Sequence, residues 1–186
     1  MRQALAAGVT FFQYRGKSGS RKGIYEASLL LARIARNAQA LFIVNDHADI
    51  AAAVDADGVH LGQEDLPIEF ARTLLGASKL IGISTHGPEE ASAAQSAGAD
   101  YIGFGAIFPT RTKDTDPVQG IRAISNIKRA VTLPVIAIGG ITHSNVQDVI
   151  RSGADGVAVI SAILSADTIT AAASSMLRAI SEVRRV

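Results

Sequence analysis

The 186-residue sequence predicts an α/β fold, a (β/α)8 TIM barrel whose first β-strand is missing from the chain. Three observations predict it. Short apolar runs alternate with helical stretches along the whole chain, the pattern of strand–helix units that build a parallel sheet. A weak repeat marks the junctions: Ala6-Ala7-Gly8-Val9, Ser96-Ala97-Gly98-Ala99-Asp100 and Arg151-Ser152-Gly153-Ala154-Asp155-Gly156 each close an Ala-rich stretch and lead into a β-branched or aromatic run. Asp55-Ala56-Asp57-Gly58 is a looser copy. Glycine is the expected stop, because it accepts the left-handed backbone that ends a helix. Finally, no G-x-G-x-x-G follows an early strand, which argues against a doubly wound open sheet.

The elements follow in order. Residues 2–8 read as the tail of a helix with no strand before it. The first strand, 9–15, carries Gln13, Arg15 and then Lys17 at alternating positions, and helix 21–37 follows. Strand 41–45 ends in Asn45-Asp46 before helix 47–54, and strand 57–61 runs into Gly62-Gln63-Glu64-Asp65 before helix 67–75. Strand 80–84 delivers Ser84, Thr85 and His86 ahead of helix 87–97. Strand 100–105 opens the long loop through Phe108-Pro109-Thr110-Arg111-Thr112-Lys113, followed by helix 119–131. Strand 134–138 ends in Gly139-Gly140 before helix 143–152, and strand 156–160 ends in Ser161 before helix 167–184. All seven strands are short and largely apolar, as strands covered on both faces must be. Residues 1–186 are read as one incomplete barrel domain. A closed barrel needs an eighth strand and rarely falls below about 200 residues. The native protein is therefore expected to begin roughly 20 residues earlier, or this copy to be truncated.

Composition narrows the function. Charged residues make up 19% of the chain and the net charge is +1, with no basic block, so nucleic acid is not the expected partner. There are no cysteines, which excludes disulfides and thiolate metal sites. No apolar run is long enough to span a bilayer, and the polar start is no secretory signal, so no membrane partner and a cytoplasmic location are expected. Self-association into a homo-oligomer stays open.

In such barrels the chemistry sits where strands end. Taken singly, the features have plain roles: Gln13, Arg15 and Lys17 as a solvated strand end, Asp46 and Asp65 as caps of the following helices. Together they follow neighbouring strands only about 5 Å apart. Two carboxylates at that separation suit Mg²⁺, a hard ion that takes a few carboxylates plus phosphate oxygens. Arg15, Lys17 and Lys113 would face the bridged anion. The ends at Gly139-Gly140 and Ile160-Ser161 favour a second phosphate over a plain turn. The reading is thus of two anion sites, one holding a monophosphate and one metal-bridged. His47, His60 and His143 read as structural; His86, at a strand end, stands apart.

Several runs resemble the thiamine-phosphate synthase family. They are Gln13-Tyr14-Arg15-Gly16-Lys17, Val44-Asn45-Asp46, Gly58-Val59-His60-Leu61-Gly62-Gln63-Glu64-Asp65-Leu66-Pro67, Gly82-Ile83-Ser84-Thr85-His86, Phe108 to Lys113 and Ala137-Ile138-Gly139-Gly140-Ile141. The resemblance implies a transferase that joins a hydroxymethylpyrimidine diphosphate to a (carboxy)methylthiazole ethyl phosphate, releasing thiamine monophosphate and pyrophosphate by a dissociative, Mg²⁺-assisted substitution. It also implies roles. Gln13, Tyr14, Arg15, Gly16, Lys17, Asn45, Ser84 and Lys113 hold the pyrimidine diphosphate, with Arg15, Lys17, Ser84 and Lys113 acting in catalysis. Asp46 and Asp65 hold Mg²⁺, and Thr110, Arg111, Thr112, Gly140, Ile160 and Ser161 hold the thiazole phosphate. Gly16 stands where the family usually has Glu, and His47 where Arg is more common. A thiazole tautomerase relative, dependent on a histidine near His86, and a non-catalytic remnant that binds thiazole phosphate are the alternatives. The joint presence of Asp46, Asp65, Thr110, Thr112 and Lys113 favours the synthase.

Overall fold

A computed structural model describes residues 1–110 and 117–184. In chain order its elements are α1 (Arg2–Ala6), β1 (Phe11–Tyr14), α2 (Arg21–Asn37), β2 (Leu41–Asn45), α3 (Ala48–Ala53), β3 (Gly58–Leu61), α4 (Ile68–Leu75), β4 (Leu80–Thr85) and α5 (Pro88–Ser96). There follow β5 (Tyr101–Phe104), α6 (Ile121–Ala130), β6 (Val135–Ile138), α7 (Val146–Arg151), β7 (Gly156–Ala158), α8 (Ser161–Leu164) and α9 (Ile169–Arg184). The strands lie in sequence order, β1 to β7, and every neighbouring pair is parallel. This is the wall of a TIM-like α/β barrel. Among the described residues it is a seven-stranded half barrel, with β1 and β7 as its two edges.

Alternation along each strand splits the sheet into two faces. Phe42 and Val44, Val59 and Leu61, Ile81 and Ile83, Ile102 and Phe104 join one core with helix residues such as Ala35, Ala71, Ile124 and Val149. Phe42, Leu61 and Phe104 are at most 1% exposed. Burying each is worth about 2 kcal/mol, and this layer holds the helices on the sheet. The intervening residues, among them Gln13, Asn45, His60, Ser84 and Tyr101, face the lumen.

The repeat seen in the sequence has a backbone cause. Four helices end in the same double hydrogen bond: Val9 to Ala4 with Gly8 to Leu5, Ala40 to Ala35 with Gln39 to Arg36, Ala56 to Ala51 with Asp55 to Ala52, and Ala99 to Ala94 with Gly98 to Gln95. Each pair needs a left-handed residue at the stop. Glycine supplies it at Gly8 and Gly98, but Gln39 (φ 53°) and Asp55 (φ 51°) do so without glycine.

The aspartates that end the repeat lock neighbouring strands at their N-terminal ends. Asp57 accepts from Phe42 N–H, Asp100 from Ile81 N–H and Asp155 from Val135 N–H, each at 2.8 Å. Asp100 is also paired with Arg72 at 2.6 Å and Asp155 with Lys128 at 2.7 Å. These clamps tie β2 to β3, β4 to β5 and β6 to β7.

Candidate active site

The other end of the sheet gathers polar groups. Asp46 follows β2 and takes a left-handed backbone (φ 65°), which short polar side chains tolerate at a cost of about 1 kcal/mol. The amide of Asp46 donates to the His60 carbonyl at 2.8 Å, so the turn is fixed against β3. Asp65 sits in the turn after β3, where Gly62 N–H donates to its carboxylate at 2.6 Å. Asn45 donates to the Asp46 carboxylate. The two carboxyl groups are in hydrogen-bonding contact with each other. Burial pushes the Asp46 carboxyl above its ordinary value, and the Asp65 charge and hydrogen bond push the same way; Arg15 and His47 oppose them. Neither aspartate caps the helix that follows. His47 and Pro67 occupy the N-cap positions of α3 and α4, and neither helix has a side-chain cap. The capping role expected for each residue singly is therefore corrected, because the Asp46 turn and the Gly62 N–H aim both carboxylates elsewhere.

Two carboxylates crowded together, one driven toward protonation, form a site short of positive charge. Their donor set is all oxygen and fits Mg²⁺. Among the described residues no group of three or more His, Cys, Asp or Glu that could hold a metal ion assembles.

Arg15 lies close enough to lower the Asp46 pKa, and Lys17 continues outward into the exposed segment before α2. Ser20 caps α2 by accepting from Gly23 N–H at 3.1 Å. Gly16 packs closely: a Cβ there would meet Ile24 Cγ1 and the Tyr14 hydroxyl at 3.1 Å. Behind Arg15, the Gln13 side chain lies beside the Tyr101 hydroxyl. Ser84, near the end of β4, meets His60 Nε2 at 3.0 Å, and Gln63 Nε2 donates to the Ser84 carbonyl at 2.7 Å. His86 sits at the same strand end, with Glu90 accepting from its backbone at 2.8 Å and meeting Nδ1 at 2.9 Å.

Of the residues expected at the second anion position, Gly140, Ile160 and Ser161 follow β6 and β7. Gly139 (φ 96°) and Gly140 (φ 61°) both need glycine, since a Cβ would also strike Ala106 or the Phe108–Pro109 segment. Ile160 is the N-cap of α8, a four-residue helix absent from the sequence reading. Ser161 opens that helix and, like Ile160, is exposed. Thr110 is half-buried. Arg111, Thr112 and Lys113 lie outside the described residues.

The sequence reading missed Tyr101 and Gln63 and took His60 as structural. Gly82 and Gly103, glycines inside strands, were the available signal for a close approach in the lumen.

Comparisons with known proteins place the chain in a family. Residues 1–163 match the family described as thiamine monophosphate synthase. The chain is 47% identical over 184 residues to a thiamine-phosphate synthase of Shouchella clausii, covering 98% of this chain and 88% of that protein. It is 51% identical over 164 residues to one from Chlorobium limicola, covering 87% of this chain and 78% of that protein. A solved thiamine phosphate pyrophosphorylase from Pyrococcus furiosus superposes with a TM-score of 0.90 at 41% identity, covering 98% of this chain and 88% of that one.

Proposed function

The chain belongs to the thiamine monophosphate synthase family, and from that premise we propose how its site works. The protein is a transferase of thiamine biosynthesis with the thiamine-phosphate synthase activity. In the proposed mechanism the bond between the pyrimidine methylene carbon and the diphosphate oxygen breaks first. The thiazole nitrogen then attacks that carbon, giving thiamine monophosphate and pyrophosphate. Negative charge builds on the leaving oxygen, so groups that receive it must be in place beforehand.

The observation that carries this reading is the contact between Asp46 and Asp65 beside Arg15. Mg²⁺ held by the two carboxylates would supply a Lewis acid for the departing pyrophosphate. Arg15 and Lys17 bind the diphosphate, and Lys113 is assigned to the same group by the resemblance. Asn45 orients Asp46, while Gln13, Tyr14 and Gly16 shape the pyrimidine side and Ser84 contacts the same substrate. Thr110, Arg111, Thr112, Gly140, Ile160 and Ser161 are assigned to the thiazole phosphate, which the glycine turn and the start of α8 can approach closely. No side chain acts as a covalent nucleophile. The edges β1 and β7 are where an eighth parallel strand would pair to close the barrel.

Incubating the protein with both substrates and Mg²⁺ tests the proposal. Thiamine monophosphate and pyrophosphate should form in equal amounts, and omitting Mg²⁺ should stop turnover. Product formation that ignores the metal would remove Asp46 and Asp65 from the mechanism.

A further inference from the structure

A line of hydrogen-bonded side chains crosses the lumen beneath this site and ends on Ser84. Gln13 on β1 faces the Tyr101 hydroxyl on β5, Tyr101 meets His60 Nδ1 on β3 at 3.1 Å, and His60 Nε2 meets Ser84 Oγ on β4 at 3.0 Å. Four strands contribute one residue each. Space has been cleared for it. A Cβ on Gly82 would collide with the Tyr101 ring, and one on Gly103 would lie 3.0 Å from His60 Cε1. Tyr101 is further braced by an edge-on contact with Phe11, ring centres 5.7 Å apart. Tyr101 and His60 are each 7% exposed. Glycine inside a strand weakens it, so Gly82 opposite Tyr101 and Gly103 opposite Ser84 mark positions kept for these rings.

One direction of the line gives each donor in it an acceptor. Burial pushes the Tyr101 hydroxyl above its ordinary range, so it keeps its single proton and has it to donate to His60 Nδ1, 3.1 Å away. In that direction the phenol proton goes to His60 Nδ1, which accepts it. A neutral imidazole accepting at Nδ1 carries its own proton on Nε2. That proton meets Ser84 Oγ, whose lone pair is thereby occupied and whose own proton is turned away from His60.

We infer that Tyr101 and His60 are positioning residues that fix the Ser84 hydroxyl as a hydrogen-bond donor to bound substrate. The inference rests on the reading that Ser84 contacts the pyrimidine diphosphate. A donor at that point favours an oxygen gaining negative charge over one that is neutral. Its effect therefore falls on kcat rather than on substrate binding. Gln63, bonded to the Ser84 carbonyl, holds the strand end while the hydroxyl is oriented from below.

The test begins with nitrogen-15 NMR of the histidines in the full wild-type chain, without substrate. His60 should be the Nε2-protonated tautomer, and a proton on Nδ1 would overturn the inference whatever the activity. Tyr101→Phe should mix the His60 tautomers and lower kcat about 10-fold, as the loss of one buried hydrogen bond would, with KM changed less than about twofold. His60→Leu should lose as much kcat as Ser84→Ala. His60→Gln, which restores an N–H near Nε2, should recover part of that loss. Wild-type kcat in a folded His60→Leu protein would show the ring to be mere packing. If the wild type makes no thiamine monophosphate, the functional reading fails, and the tautomer still decides the hydrogen-bond direction.

Discussion

The two ends of the sheet treat their aspartates in opposite ways. At the N-terminal ends each carboxylate is matched. The Asp155 carboxyl is lowered from its ordinary value, because the Lys128 hydrogen bond and charge, the Val135 N–H and the Arg184 charge together outweigh burial, which pulls the other way. At the C-terminal ends Asp46 is raised by burial and by Asp65. An unfolded aspartate titrates near about 3.9. A lowered carboxyl contributes stability that is present above that pH and lost as pH falls through the folded value. A raised one contributes stability that is present below that pH and lost as pH rises through the folded value. One end therefore strengthens the fold at neutral pH and the other weakens it. Carboxylates perturbed in this way cluster at functional sites, and a cation bound between them would offset the cost of crowding.

Asp65→Asn should break this contrast with the largest effect. Removing one of two protein ligands should lower turnover about 100-fold or more, while the thermal midpoint moves by only a few degrees. Loss of stability in proportion to activity would make Asp65 a structural residue like those at the opposite end. Asp100→Ala should give the reverse pattern. It leaves the Ile81 N–H and Arg72 without their carboxylate, so a urea titration should show a loss of about 2 kcal/mol with kcat unchanged in the folded protein.

Asp46→Asn sharpens the contrast further. In metal-free buffer it should raise the urea midpoint at pH 7 and remove the decline in stability as pH climbs above about 4. An unchanged pH profile would mean the two carboxyls do not repel. The smallest expected effect belongs to Asp155→Asn, which should flatten the loss of stability below about pH 4, read as urea midpoints across that range.

Much of this arrangement was legible in the sequence because it depends on local pattern. Strand and helix positions follow from apolar runs and helix stops, and α2 matches its expected bounds of 21–37. The stop at Gln39 was invisible, since only the folded chain shows a left-handed glutamine there. Helix α8 was missed because four residues carry no helical periodicity. Asp46 and Asp65 were singled out by their places after adjacent strands, and their plain capping roles failed for a reason no spacing reveals, the direction in which each turn aims its side chain. Tyr101 and His60 were hidden because lumen-facing residues can be told from helix-facing ones only after the sheet has curved and its register is known.

Calorimetric titration of Mg²⁺ into the protein, with pyrophosphate present, tests the paired carboxylates most directly. The wild type should bind the ion with a one-to-one stoichiometry, Asp65→Asn should lose most of that affinity, and Asp100→Asn, altered at the far end, should keep it. Equal Mg²⁺ affinity in the wild type and in Asp65→Asn would contradict the account.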